Sequence, residues 1–166
     1  MRILGVDPGL LHTGWGVVDG AYCVGFGVLD IPCSIPISSR LAMLYEELTG
    51  VLDEYKPDEV AIESVFVNSN GHSTMKLCMA RGVVMLVPGI RALRVAEYSA
   101  TQIKKTLTGQ GHASKSQVRM MVNATLSWRS AAATQSCDRM DAADALAVAI
   151  CHERYSHIKT FNLAAS

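Results

Sequence analysis

The sequence predicts an α/β fold in which helices flank a mixed five-stranded sheet. Three short apolar segments near the N-terminus are separated by turn residues, which is typical of an antiparallel meander. Two further short strands, at about 59–63 and 92–97, alternate with amphipathic helical segments. Strands that are joined through helices run parallel, with right-handed connections. The chain has 166 residues, enough for one domain with a substantial core.

The first third of the chain carries the predicted meander. We expect strands at 2–6, 13–18 and about 21–29. Pro8-Gly9 separates the first two strands, and Asp19-Gly20 is a strong signal for a two-residue hairpin turn. This segment therefore predicts the antiparallel half of the sheet.

The remainder of the chain alternates helices and strands. Helices are expected from Ser38 or Ser39 to Pro57, over about 73–86, from Ser99 to Leu107, from Ser114 to about 126, and from Asp138 or Arg139 to Tyr155. The segment 127–137 has no periodic pattern and predicts a loop. We expect one domain over 1–157 and a flexible tail over 158–166.

Composition is that of an ordinary globular protein, with 49% hydrophobic and 18% charged residues. No apolar run approaches the roughly 18 residues that cross a bilayer, and the N-terminus does not resemble a signal peptide. The five cysteines include no C-x-x-C pair, which favours reduced thiols over a disulfide framework or a zinc site. We therefore expect a cytoplasmic protein without a membrane partner.

The charge distribution is uneven although the net charge is zero. Residues 1–70 contain three basic and ten acidic residues, whereas residues 71–137 contain nine basic residues and one acid. A basic half of this kind is typical of a surface that binds a polyanion such as nucleic acid. Solvated helix surface is the alternative explanation.

Four acidic residues lie where strand ends or a helix face would direct them at one site. Asp7 and Glu63 end apolar strands, and Asp141 and Asp144 share a face of the last helix. Carboxylates are preferred ligands of hard cations such as Mg²⁺, which assist attack on phosphodiesters. Alternatively, Asp7 serves simply as a turn residue before Pro8-Gly9. Asp141 and Asp144 could likewise serve only to stabilise the start of a helix that Asp138 caps. Glu63 is harder to explain without a partner, because burying an unpaired acid is costly.

Several motifs, in order along nearly the whole chain, identify a family. The sequence resembles the RuvC Holliday junction resolvases in Ile3-Leu-Gly-Val-Asp7-Pro-Gly9, Thr13-Gly-Trp-Gly16, Ala61-Ile-Glu63, Val65-Phe66, Ala80-Arg-Gly82, Lys115-Ser-Gln-Val118 and Asp141-Ala-Ala-Asp-Ala-Leu146. The resemblance implies a ribonuclease-H-like fold and a homodimer. It also implies a crossover junction endodeoxyribonuclease that resolves four-way DNA junctions by paired symmetric nicks, in DNA recombination and repair. The implied partners are branch-migration helicase proteins of the RuvA and RuvB type.

The resemblance also implies roles for particular residues. The metal ligands would be Asp7, Glu63, Asp141 and Asp144, holding two Mg²⁺ ions per site that Mn²⁺ could replace. Lys104 and Lys115 would match basic residues close to the scissile phosphate. Products would carry 5′-phosphate and 3′-hydroxyl ends.

Three further residues are candidates for contacts to DNA. Phe66 would match an aromatic residue that stacks on a base near the junction centre, and an exposed aromatic ring can do so. It could otherwise be a core residue beneath the loop that follows. Lys105 lies beside Lys104, which leaves the assignment between the two open. Arg81 could contact a backbone phosphate or pair with a nearby acid.

Three other functions compete with the nuclease. Sugar kinases of the actin fold also begin with an Asp-x-Gly turn, but they need two large lobes, for which 166 residues are too few. A non-catalytic nucleic-acid-binding module would explain the basic half but not the four acids. A ribonuclease-H-like nuclease that acts on structured RNA would have the same acids and differ only in its substrate.

Overall fold

A computed structural model describes residues 1–65, 71–128 and 139–164, without the side chains of residues 72, 128 and 157–164. The strands are β1 (Arg2–Asp7), β2 (His12–Asp19), β3 (Tyr22–Asp30), β4 (Glu59–Glu63), β5 (Arg94–Tyr98) and β6 (Ser127–Trp128). The helices are α1 (Ile37–Tyr55), α2 (Gly71–Ile90), α3 (Ala100–Thr108), α4 (Lys115–Thr125) and α5 (Met140–Ala164).

The strands form one mixed sheet in the order β5-β4-β1-β2-β3-β6. The meander β1–β2–β3 is antiparallel, and β1, β4 and β5 are parallel neighbours. The five predicted strands and the α/β class are confirmed. The two-residue β6 is a correction, because it pairs with the edge of β3 where the sequence predicts a loop. The rest of that loop, 129–137, lies outside the described residues.

The sheet separates two layers of helices. Along β1, Leu4 and Val6 belong to a core that includes α1 and α2, whereas Ile3 belongs to a core that includes α3, α4 and α5. This is the alternation expected of a strand buried on both faces. Residues of odd number in β1 therefore face α5.

The β2–β3 hairpin turns one residue later than the predicted Asp19-Gly20. Asp19 pairs with Tyr22, so the two turn residues are Gly20 and Ala21. Gly20 has a φ of 58°, a left-handed conformation that glycine adopts without steric cost. Glycine in the first turn position is characteristic of a tight hairpin.

Helix starts follow the sequence prediction where a serine caps the helix. Ser99 and Ser114 each form a capping box with a glutamine three residues later, and Gly109 ends α3 in a left-handed conformation. The predicted cap of α1 at Ser38 or Ser39 is wrong. Pro36 occupies that position without a side-chain bond, and the helix begins at Ile37, so both serines lie inside its first turn.

Two helices are longer than predicted. Helix α2 covers Gly71–Ile90 rather than about 73–86, with Pro88 in its last turn. Helix α5 continues to Ala164, past the predicted end at Tyr155. The segment expected as a tail therefore begins as helix, and its flexibility stays a prediction.

Helix α2 contains an apolar stretch, Ser73–Ile90, with a mean hydropathy of 1.2 and 22% of its residues buried. Among the described residues this is the one helix that meets the length and composition of a membrane span, contrary to the sequence expectation. Ala80, Val84 and Val87 pack into the core with α1. Because a helix with one face on a core passes the same test, the stretch is weak support for a membrane role.

Buried His152 connects α5 to the sheet far along the helix from its start. Its Nε2 donates to Oε2 of Glu59 at 2.6 Å, because an ionised carboxylate can only accept. Its Nδ1 is hydrogen-bonded to the hydroxyl of Tyr98 at 2.8 Å. Helix α5 is thus held against both β4 and β5.

Candidate active site

Asp7 and Glu63 end neighbouring parallel strands and lie at the same edge of the sheet. Val6 of β1 pairs with Ile62 of β4, so each strand ends with an acid at the next position. Ala61 belongs to the core beneath α5, and Glu63 shares its face because side chains alternate along a strand. The same alternation directs Asp7 toward α5. Both carboxylates therefore project from one edge and one face.

Helix α5 lies directly on the strands because glycines replace side chains beneath it. A Cβ atom at Gly5 would overlap the carbonyl oxygen of Ala145, and one at Gly14 would overlap the carbonyl oxygen of Asp141. Gly16, which pairs with Gly5, also lies under the helix. Backbone-to-backbone contact of this kind brings the first turns of α5 over the end of β1.

The first two turns of α5 carry Asp141 and Asp144 to this site. Asp144 lines the same cleft as Asp7 and Glu63. Asp141 is near enough for its charge to raise the pKa of Asp7, but it does not line the cleft. The structure thus brings three of the four predicted acids into one cleft, with the fourth beside it.

The cleft has a volume of about 210 Å³ and combines acids, lysines and an apolar wall. Nζ of Lys115 donates to Oδ2 of Asp144 at 2.7 Å. Lys104 lies at the same cleft, on α3. The apolar part of the lining consists of Ala100, Ile103, Val118 and Ala147. Because Asp7 and Glu63 are half-buried beside this wall, their charges interact more strongly than charges in bulk water.

The carboxylates disfavour one another's ionised forms. Burial, together with the charges of Glu63 and Asp144, raises the pKa of Asp7 to about 8. Burial is also the main cause that raises the pKa of Glu63, followed by the charge of Asp144. The hydrogen bond to Asp144 raises the pKa of Lys115. Positive charge is therefore favourable here, and the one ammonium bonded to these acids supplies part of it.

The donor set suits a hard divalent cation, because it consists of carboxylate oxygens at the mouth of a cleft. Among the residues that the structure describes, no three acidic, histidine or cysteine side chains are grouped closely enough to hold an ion as they stand. Lys115 occupies one oxygen of Asp144 in this arrangement. Coordination would thus require the side chains to turn toward one another, and Oδ1 of Asp144, which Lys115 does not engage, could still bind an ion.

The other sequence candidates lie in different surroundings. Lys105 is exposed and does not line the cleft, whereas the neighbouring Lys104 does. Arg81 forms a bidentate ion pair with Glu97, at 2.8 and 2.7 Å, which is the alternative that the sequence left open. Phe66 lies outside the described residues.

Two supporting contacts were not predicted from the sequence. The backbone N–H of Ser64 donates to the carbonyl of Tyr98 at 2.8 Å, which extends the β4–β5 pairing just past Glu63. Arg139 donates two hydrogen bonds to Asp30 at the end of β3, which fixes the residue before α5. An arginine next to an acidic helix start was the only sequence signal for the second contact, and its partner is 109 residues away.

Comparison with protein families identifies the chain. The profile of the family described as "Crossover junction endodeoxyribonuclease RuvC" matches residues 3–152. Curated proteins of that description include one from Paramagnetospirillum magneticum, 46% identical over 159 residues that cover 93% of this chain and 92% of the relative. Another, from Bradyrhizobium diazoefficiens, is 44% identical over 93% of this chain and 87% of its own length.

Solved structures have the same fold. The structure titled "T. thermophilus RuvC in complex with Holliday junction substrate" is 30% identical, with a TM-score of 0.86 over 96% of this chain and 97% of that chain. The yeast mitochondrial Holliday junction resolvase Ydc2 is 13% identical, with a TM-score of 0.70 over 96% of this chain and 83% of its own, and it supports the fold alone. The fold is therefore ribonuclease-H-like, as the sequence predicts. On the extent of these matches, the chain belongs to the RuvC family of crossover junction endodeoxyribonucleases.

Proposed function

We propose that this chain is a structure-selective endonuclease that resolves four-way DNA junctions by paired symmetric nicks, in recombination and repair. The convergence of Asp7, Glu63 and Asp144 in one cleft with Lys104 and Lys115 is the observation that carries the proposal. The family relative solved with a Holliday junction substrate supports the choice of DNA. Products should carry 5′-phosphate and 3′-hydroxyl ends.

Membership of the family implies dependence on a divalent metal. We assign two Mg²⁺ ions, replaceable by Mn²⁺, to Asp7, Glu63, Asp141 and Asp144. Bound ions would supply an activated water nucleophile and neutralise charge on the phosphate and the leaving 3′ oxygen. The raised pKa of Asp7 supports the assignment, because only added positive charge lets all these acids ionise together.

The chain's own residues provide orientation, charge and exclusion of water. Lys115, once released from Asp144, can reach a phosphate at the cleft mouth, because its side chain is 59% exposed. Lys104 faces the same cleft and offers a second cation to the phosphate. The apolar wall with Ile103 and Val118 limits the water that could compete for these charges.

Contacts to the rest of the junction rest on residues outside the cleft. We propose that Phe66 stacks on a base at the junction centre and that exposed Lys105 binds a backbone phosphate. Arg81 could do the same through Nη1, since Glu97 engages only its Nε and Nη2. Binding that depends on phosphate charge should weaken steeply with salt.

An exposed apolar face on α2 supports a homodimer. Met75, Met79, Leu86 and Ile90 are exposed and recur at helical spacing along one stripe. A stripe of this size on a soluble protein indicates an interaction surface. Two copies paired through it about a twofold axis would present two identical cleavage sites to the pseudo-twofold junction.

The oligomeric state tests this surface. Leu86→Glu should sediment as a monomer, because it places charge within the apolar stripe. Met120→Glu is the matched control, since Met120 is similarly exposed but lies on α4. A dimeric Leu86→Glu, or a monomeric wild type at micromolar concentration, would exclude α2 as the interface.

The remaining expectations concern the cell. We propose that the protein acts in the cytoplasm with branch-migration helicase proteins of the RuvA and RuvB type. The direct test of function is a nicking assay with Mg²⁺ on a synthetic mobile four-way junction, linear duplex and structured RNA. Paired, ligatable nicks confined to the junction are expected. Cleavage of RNA only, or binding without cleavage, would favour one of the competing functions.

A further inference from the structure

A second cleft adjoins the catalytic cleft between α4 and α5. It has a volume of about 230 Å³ and is lined by Lys115, Ser116, Arg119, Met140, Ala143 and Asp144. Lys115 and Asp144 line both clefts, so the two clefts are immediate neighbours. A strand whose phosphate lies beside Lys115 can therefore extend along this second cleft past Arg119.

Arg119 differs from the other arginines of the described chain in lacking a partner. Within residues 1–65, 71–128 and 139–164, every other arginine has an ion pair or a hydrogen bond to a backbone carbonyl, and Arg119 has neither. The ion pairs are Arg2–Asp19, Arg81–Glu97, Arg91–Asp53, Arg94–Glu59 and Arg139–Asp30. Arg40 and Arg154 instead donate hydrogen bonds to backbone carbonyls. Exposed and unpaired, Arg119 keeps all its guanidinium hydrogens available to a ligand.

The position of Arg119 on α4 matches the spacing of a nucleic-acid strand. Arg119 follows Lys115 by four residues, so both lie on one helix face, with their Cβ atoms about 5–6 Å apart. Phosphates recur about every 3.4 Å along the axis of one strand, which makes this offset one or two nucleotides. The hydroxyl of Ser116 lies in the same cleft, where it is hydrogen-bonded to the hydroxyl of Ser114 at 2.9 Å, and it would have to rotate to donate to a phosphate oxygen.

We propose that the Lys115–Ser116–Arg119 cleft binds a backbone phosphate next to the scissile one, with Arg119 as its principal ligand. A planar guanidinium can donate two parallel hydrogen bonds to one phosphate, which a lysine cannot. Met140 and Ala143 form an apolar floor on which the sugar of that nucleotide can pack. This inference rests on the proposed nuclease function and adds a substrate-positioning residue to it.

The test compares Arg119→Gln with Lys56→Gln, which removes one positive charge from an exposed residue at the end of α1, in the opposite layer. Junction binding is measured in Ca²⁺ over a range of KCl concentrations, and nicking is measured in Mg²⁺ at saturating and subsaturating enzyme. Arg119→Gln should weaken binding roughly tenfold, the size of one charge-assisted contact, and reduce the salt slope by about 1. Nicking at subsaturating enzyme should fall by a similar factor, and nicking at saturating enzyme should fall less than binding does. Lys56→Gln should match the wild type.

A chemical probe locates the phosphate. One phosphate at a time beside the cut site is replaced by a neutral methylphosphonate. At one position the replacement should weaken wild-type binding and leave Arg119→Gln unaffected, because the contact is already absent. Arg119→Lys should show an intermediate loss, and this variant also serves if Arg119→Gln fails to fold. Equal effects of every methylphosphonate on wild type and variants would overturn the proposal, whereas a wild type that does not nick the junction would overturn the proposed function instead.

Discussion

Replacing Asp7 by asparagine should stabilise the metal-free protein at neutral and higher pH while it abolishes nicking. Burial and the neighbouring acids raise the pKa of Asp7 from 3.8 to about 8. The folded state therefore holds this proton more tightly than the unfolded state. The resulting stabilisation is complete below about pH 4 and is lost as the pH rises to about 8. Asparagine stays neutral at every pH, so Asp7→Asn keeps the stabilisation that the wild type loses.

The size of the effect follows from the same shift. Each pKa unit corresponds to about 1.36 kcal/mol, so a shift of about 4 units sets a ceiling on the order of 5 kcal/mol. The acids can turn toward water when all of them are ionised, which reduces the cost. We therefore expect the variant to gain about 2–3 kcal/mol in free energy of unfolding at pH 8 and almost nothing at pH 4.

The assay is denaturant unfolding in EDTA at several pH values, followed by the same titration with Mg²⁺. Wild type should gain stability from Mg²⁺, because an ion that binds only the folded state stabilises it, and Asp7→Asn should gain much less. Exposed Glu47→Gln on α1 controls for the loss of one negative charge. Asp7→Asn should still bind the junction. An Asp7→Asn protein that is no more stable than wild type at pH 8 in EDTA, or that still nicks, would refute the electrostatic argument.

Three other substitutions test the site from different directions. Lys115→Met should lower the nicking rate about 100-fold, because the phosphate loses one charged donor. An unchanged rate in single-turnover kinetics would exclude a role of Lys115 at the phosphate. Gly14→Ala should cost about 3 kcal/mol or more in unfolding free energy, because its Cβ would collide with the backbone at the start of α5, whereas Gly50→Ala in α1 has open space and should add about 0.5–1 kcal/mol. Thermal melts that rank these two alanine variants equally would contradict the close contact. Phe66→Ala should reduce junction cleavage much more than thermal stability, and a variant that simply unfolds would identify Phe66 as a core residue.

The strand ends could be predicted from the sequence because their signals are local. Asp7 and Glu63 each follow a short apolar run next to a turn or loop signal, which favours a buried strand, and parallel pairing then brings them to one edge. The serine caps of α3 and α4 are also local, since each bonds within its own first turn. The predicted cap of α1 was wrong because the helix begins at Ile37, directly after Pro36, which places Ser38 and Ser39 inside its first turn.

Features that depend on packing could not be predicted in this way. The choice between Lys104 and Lys105 depends on how α3 is rotated against the sheet, which places the first in the cleft and the second in solvent. The bond from Lys115 to Asp144 joins residues 29 positions apart, and no local pattern specifies it. The exposed stripe of α2 has the composition of a buried face, so only the fold distinguishes its two sides.

The glycine contact under α5 has a consequence for the width of the catalytic opening. Since main-chain atoms alone separate sheet from helix at Gly5 and Gly14, no rotamer change in the core can widen or narrow the gap between the two halves of the acid cluster. Substitutions elsewhere can alter how firmly the domain folds without moving these anions apart. The distance between α5 and the end of β1 is therefore set by the backbone, and a single methyl group added at Gly5 or Gly14 would increase it.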